Sequence, residues 1–356
     1  MTKEMRTSTR DLDELRHRMG VWLRARTGGP VVVSELSRPS SNGMSSETLF
    51  FTASHRGRHD RFVARLAPAA EAVPVFPSYD LRAQFEVMRL AREKAGIPAP
   101  RTLWFEPDPA PLGTPFFVME RLDGEVPPDV MPYTFEGWLL DAAPERRRAL
   151  QDATVGIVAS LHDAAFTADD LGVLGALGGG GLREHVDAQR AYYAWAHGER
   201  PIPLLERAFD WLEAHWPADP GPDVLGWGDA RIGNVVYDDF TPVGVLDWEM
   251  AAVGPRELDL AWMIFLHRFF QDLTESMGLP GIPDFMQRDD VCQKYRELTG
   301  YIPKNMDFYE LYAALRHGII MARVWQRRVH FGEQPRPDDP DDLVLHRPTL
   351  ERMLRG

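Results

Sequence analysis

The sequence predicts an α+β protein of two lobes, a small antiparallel-sheet lobe over residues 1–124 and a larger, mainly helical lobe over residues 125–356. Three features lead there. Up to Gly124 the chain is dominated by short apolar runs, alternating or clustered, set between turn-forming residues. Beyond it, apolar residues recur at helical spacing. Within the helical region an acidic hairpin, around residues 235–246, breaks that pattern.

Taken in order, Leu12, Leu15, Met19, Trp22 and Leu23 predict an amphipathic helix packed on the first lobe. A strand over 31–36 leads into the Ser- and Gly-containing stretch 40–46, and segments 46–53 and 61–66 predict a hairpin about the polar run 55–60. Leu81, Phe85, Met88, Leu90 and Ala91 predict a helix over 80–94, stopped by Gly96 and Pro98. Runs 100–106 and 115–122 read as strands about a Pro-rich turn. Further helices are predicted at 146–162, 182–195, 204–215, 291–298 and 308–329, with another beginning at Pro255. The Gly-rich stretch 178–181 reads as a linker or a loop, and 334–342 as a solvated loop before a short terminal helix.

A chain of 356 residues with 44% hydrophobic content can form two lobes with substantial cores. Its formal charge of −13 comes without a basic stripe, which argues against a nucleic acid as partner and is compatible with cationic small molecules. A lone cysteine, Cys292, excludes an intramolecular disulfide and a thiolate metal cluster and fits a reducing cytoplasm. Residues 1–10 carry no apolar signal core and no run of eighteen uncharged apolar residues occurs, so a cytoplasmic protein with no membrane partner is expected. No G-x-x-x-x-G-K-[ST] string is present, which argues against a P-loop enzyme.

The strongest motif is Trp227-Gly228-Asp229-Ala230-Arg231-Ile232-Gly233-Asn234, followed by Leu246-Asp247-Trp248-Glu249. Folding 235–237 and 243–246 about the turn-forming residues 238–242 sets Asn234 opposite Asp247. An amide oxygen and a carboxylate grouped this way suit Mg²⁺, a hard cation that takes few protein ligands and completes its shell with water and phosphate oxygens. Asp229, on the loop feeding the hairpin, is then free to accept a hydrogen bond from a substrate hydroxyl.

These strings resemble the aminoglycoside phosphotransferase-like small-molecule kinases, whose pattern is H-G-D-x-x-x-x-N followed by a D-x-[DE] metal motif. The resemblance covers roughly residues 30–330 and implies a protein-kinase-like fold and ATP- and Mg²⁺-dependent phosphorylation of a hydroxyl on a small molecule. It makes Asp229 the catalytic base and Asn234 and Asp247 the Mg²⁺ ligands, with Trp227 standing where the family usually has a loop-bracing His. Lysine is scarce, at Lys3, Lys94, Lys294 and Lys304, and the phosphate-binding position at the end of the second hairpin strand falls on Arg65. The stretch 40–46, with Asn42, Gly43 and Ser45, is implied to cover the nucleotide, and Met119, Glu120, Arg121 and Leu122 to form the adenine-facing hinge. The helix acid that usually pairs with the basic strand residue aligns with Gln84, with Glu86 nearby. His162 and Asp259 match structural positions, and Arg231 is implied either to contact phosphate or substrate or to brace the loop.

The acceptor stays open. Family members act on aminoglycosides, macrolides, choline, homoserine, sugars and, in the branch with a similar G-D-x-R-x-x-N and L-D-W-E pattern, hydroxyacyl-coenzyme A thioesters. Glu184, Asp187, Glu199, Glu206 and Asp210 are candidate carboxylates for a cationic acceptor, and aromatic residues 192–195 for an apolar one. Two other classes remain: a nucleotide-binding pseudokinase impaired by Trp227, Arg65 and the missing helix acid, and a metal-dependent hydrolase using the same carboxylates.

Overall fold

A computed structural model describes residues 10–39, 46–68, 73–178, 180–198 and 200–356. The leading region of the chain forms a five-stranded antiparallel sheet of order β1-β2-β3-β5-β4. Its strands are β1 (Val32–Val33), β2 (Glu47–His55), β3 (Arg58–Leu66), β4 (Thr102–Glu106) and β5 (Phe116–Glu120). The first hairpin is tighter than the sequence suggests. Arg56 and Gly57, at φ of 50° and 79°, make a two-residue turn whose left-handed backbone suits the twist of the flanking strands, so β2 and β3 run on through residues read as loop.

The pleat decides what each face of the sheet does. Leu49, Phe51, Phe62, Ala64, Leu66, Phe116 and Val118 join Leu15, Met19, Trp22 and Leu23 of helix α1 (Leu12–Thr27) in one apolar cluster. The alternate residues Thr48, Phe50, Val63, Arg65, Phe117 and Met119 face a cleft on the other side. Helix α2 (Leu81–Ala95), capped by the Asp80 side chain and ended by Gly96 at φ 67°, places Val87, Met88 and Ala91 in the core that continues from this inner face into the helical region.

The helical region contains α3 (Pro144–Asp163), α4 (Ala168–Leu171), α5 (Leu182–Ala196), α6 (Pro203–Ala214), α7 (Glu257–Ser276), α8 (Arg288–Thr299), α9 (Met306–His330) and α10 (Arg347–Met353). Helix α7 is nearly all buried, packing against α9 in the centre. Two small ribbons lie among the helices: β7 (Val235–Asp238) with β8 (Thr241–Val245), and β6 (Asp223–Gly226) with β9 (Ala252–Pro255). The second ribbon is not foreseen from sequence; Pro255 ends its second strand, so the helix expected from Pro255 begins two residues later, at Glu257. The 334–342 loop is not wholly solvated either: Asp341 is buried, and its carboxylate accepts the Leu204 amide at 2.8 Å. Among the described residues no helix is long and apolar enough to cross a membrane.

Candidate active site

The two ribbons build the site between them. The β6–β9 ladder, Asp223↔Pro255 through Gly226↔Ala252, clamps both ends of the segment 227–251. Inside that clamp the β7–β8 hairpin turns through Asp239 and Phe240, both at positive φ, and pairs Val235 with Val245. One step further the Leu246 amide donates to the Asn234 carbonyl at 2.8 Å, so Asn234 stands opposite Leu246 rather than Asp247, and Asp247, the next residue, lines the same cleft as Asn234 at the mouth of the hairpin. Asp247 has φ 56°, an uncommon conformation for a residue with a Cβ, held by the contacts around it.

Asp229 is oriented by three donors. Trp262 Nε1 donates to Oδ1 at 2.6 Å, Asn234 Nδ2 to Oδ2 at 2.6 Å, and Arg231 Nε reaches both oxygens at 3.2 and 3.3 Å. Asn234 Nδ2 also donates to the Asp229 carbonyl, so the amide uses its donor end on Asp229 and keeps its oxygen for another partner. Arg231 is gripped on its far side by Asp129, with Nη1 at 2.7 Å from both carboxylate oxygens. Burial works against this guanidinium's charge, but Asp129 and Asp229 outweigh it and raise its pKa above the ordinary arginine value.

The loop carrying Asp229 is pinned from below by a buried carboxylate. Asp259 accepts the amides of Trp227 at 2.7 Å and Gly228 at 2.8 Å, and meets His162 Nε2 at 3.2 Å while His162 Nδ1 faces the Tyr295 hydroxyl at 2.8 Å. Burial opposes ionisation of Asp259, and the His162 contact with the two amide donors more than offsets it, holding the carboxyl below its usual value. Gly228 has φ 86°, and a Cβ there would overlap the Met250 carbonyl, so only glycine fits. Buried Arg316 of α9 adds a hydrogen bond to the Gly228 carbonyl at 3.2 Å. Trp227 is fully buried, and its indole N–H donates to the carbonyls of Leu246 at 2.9 Å and Asp247 at 3.2 Å. It therefore ties the Asp229 loop to the Asp247 turn.

Arg65 reaches across the cleft from the sheet. Nη1 donates to Thr48 Oγ1, its cross-strand neighbour, at 3.2 Å, and Nη2 donates to Asp247 at 3.1 Å with Glu249 at 3.9 Å. No helix acid takes part. Glu86 is engaged by Arg82 and Arg89 of its own helix, whereas Gln84 is buried and lines the cleft. The cleft holds about 430 Å³ and is lined by Arg65, Met119, Glu120, Arg121, Leu122, Arg231, Asn234 and Asp247. Arg121 lies over the Phe50 ring at 4.3 Å, and Glu120 accepts the Arg101 amide at 2.8 Å. Asn42, Gly43 and Ser45 lie outside the described residues. Of the acids considered for a cationic acceptor, Glu184, Asp187, Glu206 and Asp210 do not line this cleft, and Glu199 is outside the described residues.

Three residues of the site carried no motif: Asp129, Trp262 and Arg316. Only Trp262 left a trace, since it follows Asp259 by three positions on α7 and so shares its face.

The family model described as "Phosphotransferase enzyme family" matches residues 37–281. Among curated proteins, the chain is 26% identical to "Probable acyl-CoA dehydrogenase IBR3" of Arabidopsis thaliana over 80% of this chain and 35% of that protein. It is 29% identical to "Acyl-CoA dehydrogenase family member 11" of Homo sapiens over 75% of this chain and 33% of that protein. The chain thus spans about a third of the length of these relatives. Among solved structures, a putative aminoglycoside phosphotransferase from Ralstonia eutropha superposes with a TM-score of 0.66 at 21% identity, covering 95% of this chain and 97% of that one. A thermostable aminoglycoside phosphotransferase APH(4)-Ia variant in ternary complex with ADP and hygromycin B gives 0.56 at 16% identity, covering 94% and 97%. These two likenesses describe the fold, and the family match extends over more than half of the chain. The chain belongs to the phosphotransferase enzyme family and has the kinase-like fold of these aminoglycoside phosphotransferases.

Proposed function

We propose that the protein transfers the γ-phosphoryl group of ATP to a hydroxyl of a small molecule, with Mg²⁺, in the cleft between sheet and helices. The observation that carries this reading is the meeting of Asp229, Asn234 and Asp247 at one hairpin mouth, with Arg65 bridging to Asp247 at 3.1 Å. The donor set fits a hard cation: a carboxylate on Asp247 and an amide oxygen on Asn234, whose N–H end is already spent on Asp229. Mg²⁺ bound there would neutralise charge on the phosphates. Arg65, fixed by Thr48, presents its guanidinium to the same phosphates and can grip two oxygens at once.

Asp229 is the group that receives the acceptor hydroxyl. Its three donors fix its plane, so the hydroxyl is aligned without reorganisation at the moment of transfer. Arg231, held by Asp129, keeps positive charge beside that carboxylate. Residues 119–122 line the adenine end, and residues after Leu122 carry the chain from sheet to helices. ADP in the APH(4)-Ia complex supports nucleotide as co-substrate.

For the acceptor we favour a hydroxyacyl thioester of coenzyme A. The support is the names of the curated relatives, "Probable acyl-CoA dehydrogenase IBR3" and "Acyl-CoA dehydrogenase family member 11". A reducing, cytoplasmic setting fits Cys292, whose thiol is pushed up to about 11 chiefly by burial and is correspondingly inert. The test is ATP-dependent transfer with Mg²⁺ to a panel of hydroxyacyl thioesters and aminoglycosides. Asp229→Ala should abolish transfer while Mg–ATP still binds. Binding without transfer to any acceptor by the unaltered protein would turn the reading toward a pseudokinase.

A further inference from the structure

In a chain of net charge −13, one cleft of about 250 Å³ is lined by no carboxylate among its described residues. Its polar lining is His197, Arg200, Arg323, Gln326, His330 and Arg336, contributed by the end of α5, the last turns of α9 and the loop that follows. We infer that this cleft binds a phosphate-bearing group, the phosphorylated tail of the acceptor whose hydroxyl is presented to Asp229.

Several observations converge on it. Among the described residues Arg323, Arg336 and His330 have no carboxylate within ion-pair distance, whereas Arg347, a few residues on, engages Asp339 and Asp342 at 2.7 and 2.8 Å. Asp339 is thereby bonded to Arg347, while the Arg200 charge also acts on it. Arg200 spends one Nη on the Asp338 carbonyl at 2.9 Å, which aims the guanidinium through an uncharged partner. Arg323 is likewise positioned by neutral partners, the Pro74 carbonyl at 3.0 Å and the Trp195 ring at 4.2 Å. His197 Nδ1 is buried with no hydrogen-bond partner. Guanidinium forks with no carboxylate within ion-pair distance are what a phosphate oxygen cluster satisfies. Burial depresses the pKa of Arg323, a cost that a bound anion would remove.

A chain of packed contacts runs from the cleft toward the transfer site. The segment holding Pro74 continues to Val75, whose carbonyl accepts the Tyr192 hydroxyl at 3.0 Å and whose amide donates to the Tyr79 hydroxyl at 3.1 Å. Both phenols lie within electrostatic reach of Glu249, two residues past Asp247, and Tyr192 and Tyr79 also feel Arg323. On the kinase reading, a carrier-linked acceptor rests its phosphates on α9 and extends its acyl arm from there toward Asp229.

Naming the acceptor as the source of the phosphate rests on the kinase reading, while anion binding in the cleft does not. The experiment separates the two by measuring the Mg–AMPPNP affinity first, which alone bears on the kinase. Protein saturated with Mg–AMPPNP is then titrated calorimetrically with coenzyme A and, separately, with inorganic phosphate. The expected result is coenzyme A binding that weakens about tenfold or more in Arg336→Glu and in Arg200→Gln, exposed positions whose change spares the fold, and in Arg323→Gln. AMPPNP affinity should stay constant across the three. No coenzyme A binding, or binding equal in all variants, overturns the proposal. Inorganic phosphate binding as tightly as coenzyme A, with the same sensitivity to the substitutions, overturns the assignment to the acceptor.

Discussion

Replacing Trp227 by Phe isolates one link between the two halves of the site. The indole N–H is shared between the Leu246 carbonyl at 2.9 Å and the Asp247 carbonyl at 3.2 Å, and among the described residues no other side chain is seen donating to either. Phenylalanine keeps a ring near Trp248, now 6.0 Å between centroids, and removes only the donor and some volume. A buried carbonyl left unsatisfied costs roughly 1–3 kcal/mol. The left-handed backbone at Asp247 costs a comparable ~1–3 kcal/mol and persists because neighbours over-determine it. Losing the brace therefore lets Asp247 relax out of its functional position. At about 1.4 kcal/mol per factor of ten, the expected loss is about tenfold in Mg²⁺ affinity and in kcat/KM. The assay is a Mg²⁺ titration of ATP-dependent transfer, with melting temperature measured in parallel. A smaller ring would lower the melting temperature by itself, so the Mg²⁺ titration is the deciding readout. Trp227→His, which restores a donor, should recover much of the lost affinity. A Phe variant with unchanged Mg²⁺ dependence would refute the bracing role and leave Trp227 as packing alone.

Three further outcomes follow from the same geometry. Asp259→Asn should lower stability near neutral pH by roughly 1–3 kcal/mol, because the Trp227 and Gly228 amides and His162 lose a charged partner. The Asp259 carboxyl sits below its unfolded value, so its contribution is complete above that value and is lost as pH falls through the lower, folded one. The stability gap between wild type and Asn variant should thus close only under acid conditions below about pH 4, and a gap constant down to pH 2 would contradict the linkage. Gly228→Ala should lower both melting temperature and turnover, since the new Cβ meets the Met250 carbonyl; a fully active, equally stable variant would show that the loop is not so confined. Arg65→Met should raise the KM for ATP about tenfold or more while Glu86→Gln leaves it unchanged, checked by initial rates, because only Arg65 faces the cleft.

How far the sequence foretold this depends on what each residue answers to. The sheet and long helices were legible because burial of one face imposes a period on the chain: β2 and β3 alternate between the α1 cluster and the cleft, and α2 carries its apolar stripe into the core. The hairpin itself was legible because two apolar runs and a turn leave few registers, but its register differs by one residue from the expected one: Val235 pairs with Val245, so Asn234 stands opposite Leu246 rather than Asp247. The β6–β9 ribbon was not, since Gly226, Gly254 and Pro255 look like punctuation and two four-residue strands pair only because the 227–251 segment closes on itself. Asp129 and Arg316 were invisible for another reason. Their partners, Arg231 and the Gly228 carbonyl, are distant in sequence and found only through tertiary packing. Even the anticipated departure at Trp227 looked like a loss, and the indole N–H instead supplies a donor to the Leu246 and Asp247 carbonyls.

The most direct test of the central claim is anomalous diffraction from crystals grown with Mn²⁺ in place of Mg²⁺ and a non-hydrolysable ATP analogue. The account predicts a metal peak bridging the nucleotide phosphates to Asn234 Oδ1 and the Asp247 carboxylate, with Asp229 beside it and not ligating. A metal held away from both residues, or nucleotide bound outside the cleft that Arg65 and Asp247 share, would contradict it.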